Sequence, residues 1–321
     1  MKMSTLLNKK TFAPVASLLY SLFRYALLIC VSYVVLFPVI KMISTAFAMP
    51  EDVFSGASGT LPDNPTFQNF SRFKLFFPYK KLFTTTAQIS VISTILQLVS
   101  CSLVGYGLGR YKFKGSGLVY AAVLFTVILP VQITLIPAYY GYRWFDFFGI
   151  GKLIGLFTGK AVTVNLLKNF MAVYTPALFG VGLRSGIYIF LFRQFFASMP
   201  KDLEEAAVID GCGPFRTFLR VMIPNIKPVV VTVALLSVIY YWNDSLVTDM
   251  MILNEDGQTL MQGIAGLKNG AQNTGTKDSD LAQIICQQYA AMLASVAPLM
   301  IAFTVAQKFF VECMDRSGSK G

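Results

Sequence analysis

Residues that could carry out acid–base, nucleophilic or metal chemistry are scarce in this sequence. The chain has 321 residues and no His, so it lacks the usual proton shuttle near neutral pH and the commonest metal ligand. Neither a Ser/His nor a Cys/His nucleophile pair can exist in it. Its five cysteines form no CxxC pair, and we expect free thiols and no metal site. A membrane enzyme would need a catalytic constellation, and none is visible.

The sequence also lacks a nucleotide-binding motif. The nearest approach to a phosphate-binding loop is GLFTGKA at 155–161. This stretch has one residue too few between its glycines, and Ala161 stands where Ser or Thr would hold magnesium. We therefore expect no cofactor in this chain and an energy source outside it.

Charged residues concentrate in one stretch, SMPKDLEEAAVIDGCGPFRTFLRVMIPNIKP at 198–228. Ser198 is a candidate N-cap, and Pro200 suits a first helical turn. The carboxylates of Asp202, Glu204 and Glu205 favour the positive end of a helix dipole. The pattern predicts a helix that begins here.

This predicted helix has a small-residue face and a flexible end. Leu203, Ala206 and Ala207 share one face, where small side chains would let another surface come close. Asp210 precedes Gly211, and Gly211 has the conformational freedom to end the helix.

A second helix is predicted after the turn. Arg216 and Arg220 lie on its polar side, Pro224 ends it, and Pro228 opens the next apolar run. The apolar residues that recur at helical spacing are Phe215, Phe218, Leu219, Met222 and Ile223. Two helices joined at a Gly hinge, between two apolar runs, have the form of a lever.

The elements that must position this lever are membrane helices. The chain is 55% apolar and 13% charged, whereas soluble domains carry roughly 25% charged residues. A bilayer core takes about 20 apolar residues of helix. We predict an all-α, polytopic membrane protein with spans at about 25–47, 84–109, 116–141, 170–194, 228–250 and 283–308 within a transmembrane region 25–312.

Charge distribution predicts the orientation of these spans. Six spans place both termini on one side of the membrane, and more Lys and Arg lie on that side than on the other. We therefore predict a protein of the cell membrane whose terminal segments, 1–24 and 313–321, are cytoplasmic tails. Residues 198–227 then form a cytoplasmic loop, and 252–282 an extracytoplasmic one. The net charge of +11 is dispersed at helix ends, which argues against a nucleic-acid partner.

Three other connections carry weaker signals. Pro-punctuated residues after the first span predict an outer loop with a surface helix. Pro130 and Pro137 predict a break or kink in the third span. Residues 143–168 carry four cations and several glycines, and we expect an outer amphipathic segment there.

Charged and polar groups at membrane depth are candidates for a transport pathway. Arg184 could line a path, or it could snorkel to the outer interface. The stretch YYWNDSL at 240–246 combines aromatic faces with hydrogen-bonding groups, which is the chemistry that sugars need. The same residues could equally form a polar clamp between helices. The candidates in this stretch are Tyr241, Trp242, Asn243 and Asp244.

The stretch EEAAVIDGCGPFRTFLRVMIPNIKP resembles the EAA loop of binding-protein-dependent ABC importer permeases. That pattern is Glu-Ala-Ala, three residues, Gly, and later an apolar-x-apolar-Pro, here ending Val221, Ile223 and Pro224. The segments STAFAMPEDVF, LVGYGLGRYKFKG, ILPVQITLIPAYY and YYWNDSLV are similar to the carbohydrate-uptake branch, most of all to the maltose-type second permease. Cys212 stands where that branch usually has Ala, and 150–178 is longer than usual.

The resemblance implies the MetI-like permease fold of type I importers and a division of labour between subunits. The first loop helix would be a coupling helix that docks on a separate ATPase, with Glu205 pairing with a basic residue there. Leu203, Ala206, Ala207, Asp210 and Gly211 would complete this contact. ATP and Mg would be bound by the partner. The implied partners are a second permease in a heterodimer, two ATP-binding cassette subunits, an extracytoplasmic sugar-binding protein and membrane lipid.

One competing class is a secondary transporter driven by an ion gradient. Arg184 and Asp244 would then be coupling residues, and uptake would not need an ATPase. Such transporters are often built from internal repeats, and no clear repeat is visible in this sequence.

Overall fold

The computed structural model describes residues 4–54, 61–160, 162–254, 257–273 and 278–318. Within these ranges the regular elements are helices, apart from an isolated antiparallel bridge between Phe145 and Val164. The α-helices in chain order are α1 Ser4–Phe47, α2 Gln68–Phe76, α3 Tyr79–Arg110, α4 Ser116–Ile128, α5 Val131–Arg143, α6 Ile150–Thr158, α7 Met171–Leu178, α8 Ser185–Ser198, α9 Asp202–Ile209, α10 Pro214–Thr217, α11 Ile223–Asn225, α12 Lys227–Asn243, α13 Leu246–Met251, α14 Leu260–Asn273 and α15 Asp278–Gly318.

Three helices are long and apolar enough to cross a bilayer: Ser17–Phe47 of α1, all of α3, and Leu281–Lys308 of α15. Two bent pairs add candidates. The pair α4 and α5 bends by 107°, and Pro214–Asn225 followed by α12 bends by 83°. The described residues therefore hold three candidate spans, or five if each bent pair crosses once. The all-helical polytopic class is confirmed, with this count in place of six.

The predicted span at 170–194 is not one helix. α7 ends at Leu178 and α8 begins at Ser185, because Gly180 and Arg184 between them adopt left-handed φ angles of 70° and 60°. The predicted span at 116–141 breaks at Pro130, as the proline signal indicated, and Pro137 is accommodated within α5. The span predicted at 228–250 breaks after Asn243, where α12 ends.

One compact unit of the chain comprises residues up to Phe76 and Leu267–Ala294. Its first helix is continuous from Ser4 to Phe47, so it includes most of the residues predicted as the N-terminal tail as well as the apolar run. The predicted surface helix after the first span is α2. The buried amide of Asn69 donates to the carbonyl oxygens of Ala46 and Ala48 at 3.0 and 2.8 Å, which fixes α2 against the end of α1.

The second compact unit comprises Phe77–Gly266 and the residues from Ser295 onward. α3 and α8 form its centre and pack at close range. A Cβ added at Gly105 would lie 2.5 Å from the Cβ of Phe192, and one at Gly109 would lie 3.1 Å from the Arg193 carbonyl oxygen. Gly105 and Gly109 are four residues apart, the spacing that lets two membrane helices approach closely.

The connection predicted as an extracytoplasmic loop at 252–282 is largely helical. α14 occupies Leu260–Asn273. Its start carries a reciprocal cap, since the Thr259 amide donates to the Gln262 side chain at 2.6 Å and the Gln262 amide donates to Thr259 Oγ1 at 3.4 Å. A capping box of this kind can be recognised in the sequence TLMQ at 259–262.

The expected free thiols are found at Cys30, Cys101, Cys212 and Cys286. The side chain of Cys313 lies outside the described residues.

Candidate coupling site

α9 is the first helix of the predicted lever, and it begins later than the sequence suggested. Lys201 is its N-cap, and Asp202, Glu204 and Glu205 occupy its first turn. Ser198 is not the cap, because it is the last residue of α8 and its hydroxyl donates to the Phe195 carbonyl oxygen at 2.9 Å. Met199, in an extended conformation, separates the two helices.

The end of α9 agrees with the sequence prediction. Gly211 has a φ angle of 76°, in the left-handed region that favours glycine. The Gly211 amide donates to the Val208 carbonyl oxygen, and the Cys212 amide donates to the Ala207 carbonyl oxygen, both at 2.9 Å. These two bonds form a Schellman motif, which fixes the turn between α9 and the return helix.

The residues of the predicted docking face of α9 differ in their exposure. Ala207 is buried and Leu203 is half-buried, so these two side chains hold α9 to its own subunit. Ala206, the third member of the predicted face, is exposed. The exposed face consists of Asp202, Glu205, Ala206 and Ile209 at i, i+3, i+4 and i+7, with Ile209 86% exposed. Asp210, beside Gly211, is also exposed.

A charged clamp joins α9 to the end of α3. Arg110 Nε and Nη2 donate to Glu204 Oε2 at 2.8 and 2.6 Å, and Tyr106 donates to Glu204 Oε1 at 2.9 Å. Arg110 Nη1 also donates to the Met199 carbonyl oxygen at 2.8 Å. The Arg110 and Glu204 side chains are 6% and 24% exposed. Such hydrogen-bonded pairs hold their geometry well.

Sequence reasoning missed this clamp. Glu204 and Glu205 look equivalent in the sequence, but they differ by about 100° around the helix axis, so one faces α3 and the other faces outward. The partners are 94 residues apart, and no local pattern links them.

The return helix after the Gly hinge is present, with a different buried face. It runs from Pro214 to Asn225 through a π-helical turn at Phe218–Met222, so Pro224 lies in its last turn. A π turn has more residues per turn than an α-helix, which changes the side-chain register. Phe218 and Met222 are buried as predicted, whereas Phe215 and Leu219 are exposed.

An aromatic cluster seats this return helix beside the clamp. The Phe218 ring lies 5.1 Å from that of Tyr106 and 6.1 Å from that of Phe196, and the Tyr106 and Phe196 rings are 5.2 Å apart. Tyr106 on α3 therefore contacts Glu204 of α9 through its hydroxyl and the return helix through its ring. Both helices of the lever, α9 and the return helix, therefore contact Tyr106 of α3.

The candidate pathway residues fall into two groups. Tyr241 and Trp242 are buried, and the Trp242 indole donates to the Ser295 carbonyl oxygen at 3.0 Å. Asp244 accepts from the amides of Val247 and Thr248 at 3.3 and 2.8 Å. These contacts correspond to the helix-clamp interpretation.

Arg184 and Asn243 belong to the second group, which is exposed. The Arg184 guanidinium lies 5.1 Å from the centre of the Tyr240 ring, an attractive cation–π arrangement. The side-chain amide of Asn243 donates through Nδ2 to the Ile239 carbonyl oxygen at 2.9 Å. The side chains of Arg184 and Asn243 are therefore not covered by the other described residues of this chain.

A buried polar network supports the chain break next to Arg184. Gln97 of α3 donates to the Leu183 carbonyl oxygen at 2.6 Å and to Ser185 Oγ at 2.7 Å, and it accepts from Ser237 of α12 at 2.8 Å. Broken helices in a membrane need partners for their freed backbone groups. Gln97 supplies one, and sequence reasoning did not identify it.

Comparison with known proteins agrees with this arrangement of helices. Residues 101–316 match the family described as "Binding-protein-dependent transport system inner membrane component". The chain belongs to this family. The match covers the Arg110–Glu204 clamp, α9 with its return helix, and the broken helices. This protein is therefore an integral membrane subunit of a transport system.

Individual relatives of this transport component cover most of its length. It is 28% identical to a putative ABC transporter permease protein of Caldicellulosiruptor sp., over 88% of this chain and 91% of the relative. It is 25% identical to the arabinooligosaccharides transport system permease protein AraQ of Halalkalibacterium halodurans, over 91% and 93% of the two chains. The diacetylchitobiose uptake system permease protein NgcG of Streptomyces coelicolor is also 25% identical, over 90% and 85%.

A solved structure shares the fold. A chain of a bacterial ABC transporter for import of the acidic polysaccharide alginate superposes with a TM-score of 0.70 and 20% identity, covering 92% of this chain and 98% of that one. The permease fold expected from the EAA-like segment is confirmed.

Proposed function

We propose that this transport component is one permease subunit of an ATP-driven importer, paired with a second, similar permease. The observation that carries the proposal is the position of α9, whose outward face is open while its inward face is clamped to α3 through Arg110 and Glu204. A push on the outward face would reach α3 directly, and α8 through the glycine contacts. This supports a role for α9 as a coupling helix.

The energy would come from two separate ATP-hydrolysing subunits, which would bind ATP and Mg. We place α9 and both termini on the cytoplasmic side of the cell membrane, in keeping with the excess of Lys and Arg on that side. Glu205, exposed beside Ala206, would pair with a basic residue of an ATPase, and the small Ala206 would leave room for close docking. Asp202 and Ile209 extend this face.

Closure of the two ATPases on ATP would bring the coupling helices of both permeases together. The clamp would transmit this movement to α3 and α8, and the central cavity would change from inward-facing to outward-facing. Hydrolysis would reset it. Movement of rigid helices around a fixed site is the usual form of alternating access, and the Gly105–Phe192 contact makes α3 and α8 suited to move as one body.

The cargo that the relatives favour is a sugar or oligosaccharide. Their names refer to arabinooligosaccharides and diacetylchitobiose, and a structural neighbour is an alginate transporter in complex with an alginate pentasaccharide-bound periplasmic protein. We propose that an extracytoplasmic binding protein delivers the sugar here as well. Arg184 and Asn243 would line the path, while Tyr241, Trp242 and Asp244 would hold the helices around it.

The decisive experiment reverses the charge at Glu205 in the assembled transporter. Glu205→Lys should reduce both co-purification of the ATPase subunits and stimulation of hydrolysis by the loaded binding protein. Asp63→Lys, at an exposed carboxylate outside the predicted spans, is the control and should leave co-purification of the ATPase subunits unchanged. If Glu205→Lys leaves both unchanged, the coupling role is wrong.

Uptake assays separate the proposal from its alternatives. Reconstituted transporter should take up a labelled oligosaccharide only when the ATPase subunits, ATP and the binding protein are present. Uptake that continues without the ATPase subunits would indicate an ion-gradient mechanism. Uptake of only non-sugar cargo would overturn the substrate class and leave the coupling mechanism standing.

A further inference from the structure

Residues 145–160 and 162–164 form a small folded segment between α5 and α7 that the coupling mechanism does not use. The Phe145 amide donates to the Val164 carbonyl oxygen at 3.1 Å, and the Val164 amide donates to the Phe145 carbonyl oxygen at 2.9 Å. This bridge closes the base of the segment, and α6 lies within it. The α6 backbone is therefore held by the segment itself.

One face of α6 lies tightly against the returning chain. The Gly151 amide donates to the Asp146 carbonyl oxygen at 2.7 Å, and the Val162 amide donates to the Gly151 carbonyl oxygen at 3.2 Å. A Cβ at Gly151 would lie only 2.0 Å from the Val162 carbonyl oxygen. Only glycine allows this approach, so the Gly151 side of α6 is fixed as the inward side.

The opposite side of α6 is apolar and uncovered. With 100° between successive residues, the large side chains of α6 other than Ile154 lie about 100° or more around the helix axis from Gly151. Leu156 and Phe157 are 81% and 87% exposed. The apolar face consists of Ile150, Leu153, Ile154, Leu156 and Phe157, and an exposed apolar surface of this kind marks an interaction site.

Two further aromatic side chains extend this face through an unusual backbone. Phe147 and Phe148 have left-handed φ angles of 54° and 61°, which cost free energy in a non-glycine residue. Phe148 is 73% exposed and its ring contacts the Phe179 ring at 5.1 Å, whereas Phe147 is 47% exposed and its ring contacts the Phe145 ring at 5.4 Å. The strained turn adds apolar surface on the outside of the segment instead of burying it.

The chain just before α6 has the character of a membrane–water boundary. The exposed rings of Tyr140 and Trp144 stack at 5.8 Å at the end of α5, and the Arg143 guanidinium lies 4.9 Å from the Trp144 ring. Exposed Trp, Tyr and Arg at the end of a membrane helix are typical of the interface. α6 begins six residues after Trp144, so it lies near this boundary.

Cations lie beside the apolar face. Lys152 and Lys160 are exposed, and Lys152 Nζ lies 3.7 Å from the Asp146 carboxylate. An apolar helix face with Lys on its polar flank is the pattern of helices that lie in the interface plane, where the cations meet lipid phosphates. The charge of the segment thus complements phospholipid.

We propose that α6 is a membrane-interface anchor whose apolar face inserts into the same bilayer that the spans cross. The occupant of the face is phospholipid: acyl chains around Leu156 and Phe157, and headgroup phosphates at Lys152 and Lys160. The inference depends on membrane integration alone, so it stands or fails independently of the cargo and of ATP coupling.

The test compares two cysteine substitutions on different sides of α6 in the assembled transporter. Phe157→Cys lies on the apolar face and Lys152→Cys on the polar flank, and the unsubstituted chain corrects for the native cysteines. In phospholipid vesicles, a water-soluble maleimide should label Phe157→Cys about tenfold more slowly than Lys152→Cys, equivalent to about 1.4 kcal/mol. An environment-sensitive fluorophore at 157 should also be quenched by nitroxide-bearing lipid.

Each outcome decides the proposal. Slow labelling at 157 together with quenching by nitroxide lipid supports lipid insertion. Equal labelling rates at 157 and 152 would overturn it, since the face would then be in water. Slow labelling without quenching would also overturn it, because a protein partner would then cover the face.

Discussion

α6 and α9 are helices of similar length in connections between membrane segments, but they present opposite surfaces. α6 turns five large apolar side chains outward and is seated by a glycine and backbone hydrogen bonds. α9 turns two carboxylates, Ala206 and Ile209 outward and is seated by a charged clamp. The difference fits the two partners proposed above, since a lipid surface favours large apolar side chains and a protein groove favours small residues and specific charge.

The largest difference in stability is expected between substitutions of the inward-facing Glu204 and the outward-facing Glu205 of α9. Glu204→Gln removes the carboxylate that Arg110 binds and leaves a largely buried guanidinium without its counter-charge, which should lower the free energy of unfolding by about 3 kcal/mol. Glu205→Gln, one residue along, removes an exposed charge and should change it by less than about 0.5 kcal/mol. Denaturation of the two purified variants in the same detergent measures this contrast. Equal losses would mean that the faces of α9 are wrongly assigned.

A smaller loss of stability is expected at Gly151, where α6 packs against the returning chain. Gly151→Ala places a methyl group against the Val162 carbonyl oxygen, and overpacking of this kind costs about 2 kcal/mol. Hydrogen exchange of the Val162 and Val164 amides should accelerate, because the bridge at the base of the segment opens. Gly141→Ala on α5, where a Cβ would meet nothing within 4 Å, is the control. Unchanged exchange in Gly151→Ala would show that α6 can move away from its seat at no cost.

The smallest effect should be at the hinge that ends α9. Gly211→Ala forces a side chain into a left-handed conformation at a cost of about 1 kcal/mol. A Cβ there would meet nothing within 4 Å, so the cost is purely conformational. Thermal unfolding should show a modest decrease in midpoint, and Gly107→Ala, in the open interior of α3, should show none. A decrease as large as that of Glu204→Gln would point to packing at Gly211 that the structure does not contain.

The sequence predicted the lever well because its signals are local. The carboxylates of the first turn, Gly211 and Pro214 each act on the backbone within a few residues, so their spacing alone indicates a helix, a turn and a second helix. The choice between Glu204 and Glu205 was not predictable in this way. It depends on where Arg110 lies, and Arg110 is far away in the sequence.

The breaks in the membrane spans were also only partly predictable from the sequence. Pro130 signals its own break, because a missing amide hydrogen is a local property. The break at Gly180–Arg184 became visible only in the structure, where Gln97 of α3 donates to the Leu183 carbonyl oxygen and to the Ser185 hydroxyl. An apolar run gives the length of a segment, but it does not show whether neighbouring helices allow that segment to stay straight.

The sequence by itself determined the all-helical membrane class, the position of the lever and the Gly that ends its first helix. Composition and short-range spacing control these features. The tertiary structure decided which face of α9 is open, which residues hold it and that α6 turns its apolar side outward. These features depend on contacts between residues distant in the chain, such as Arg110 with Glu204, or on close backbone approaches, such as Gly151 with Val162. Packing in three dimensions creates such contacts, and the spacing of residues along the chain does not specify them.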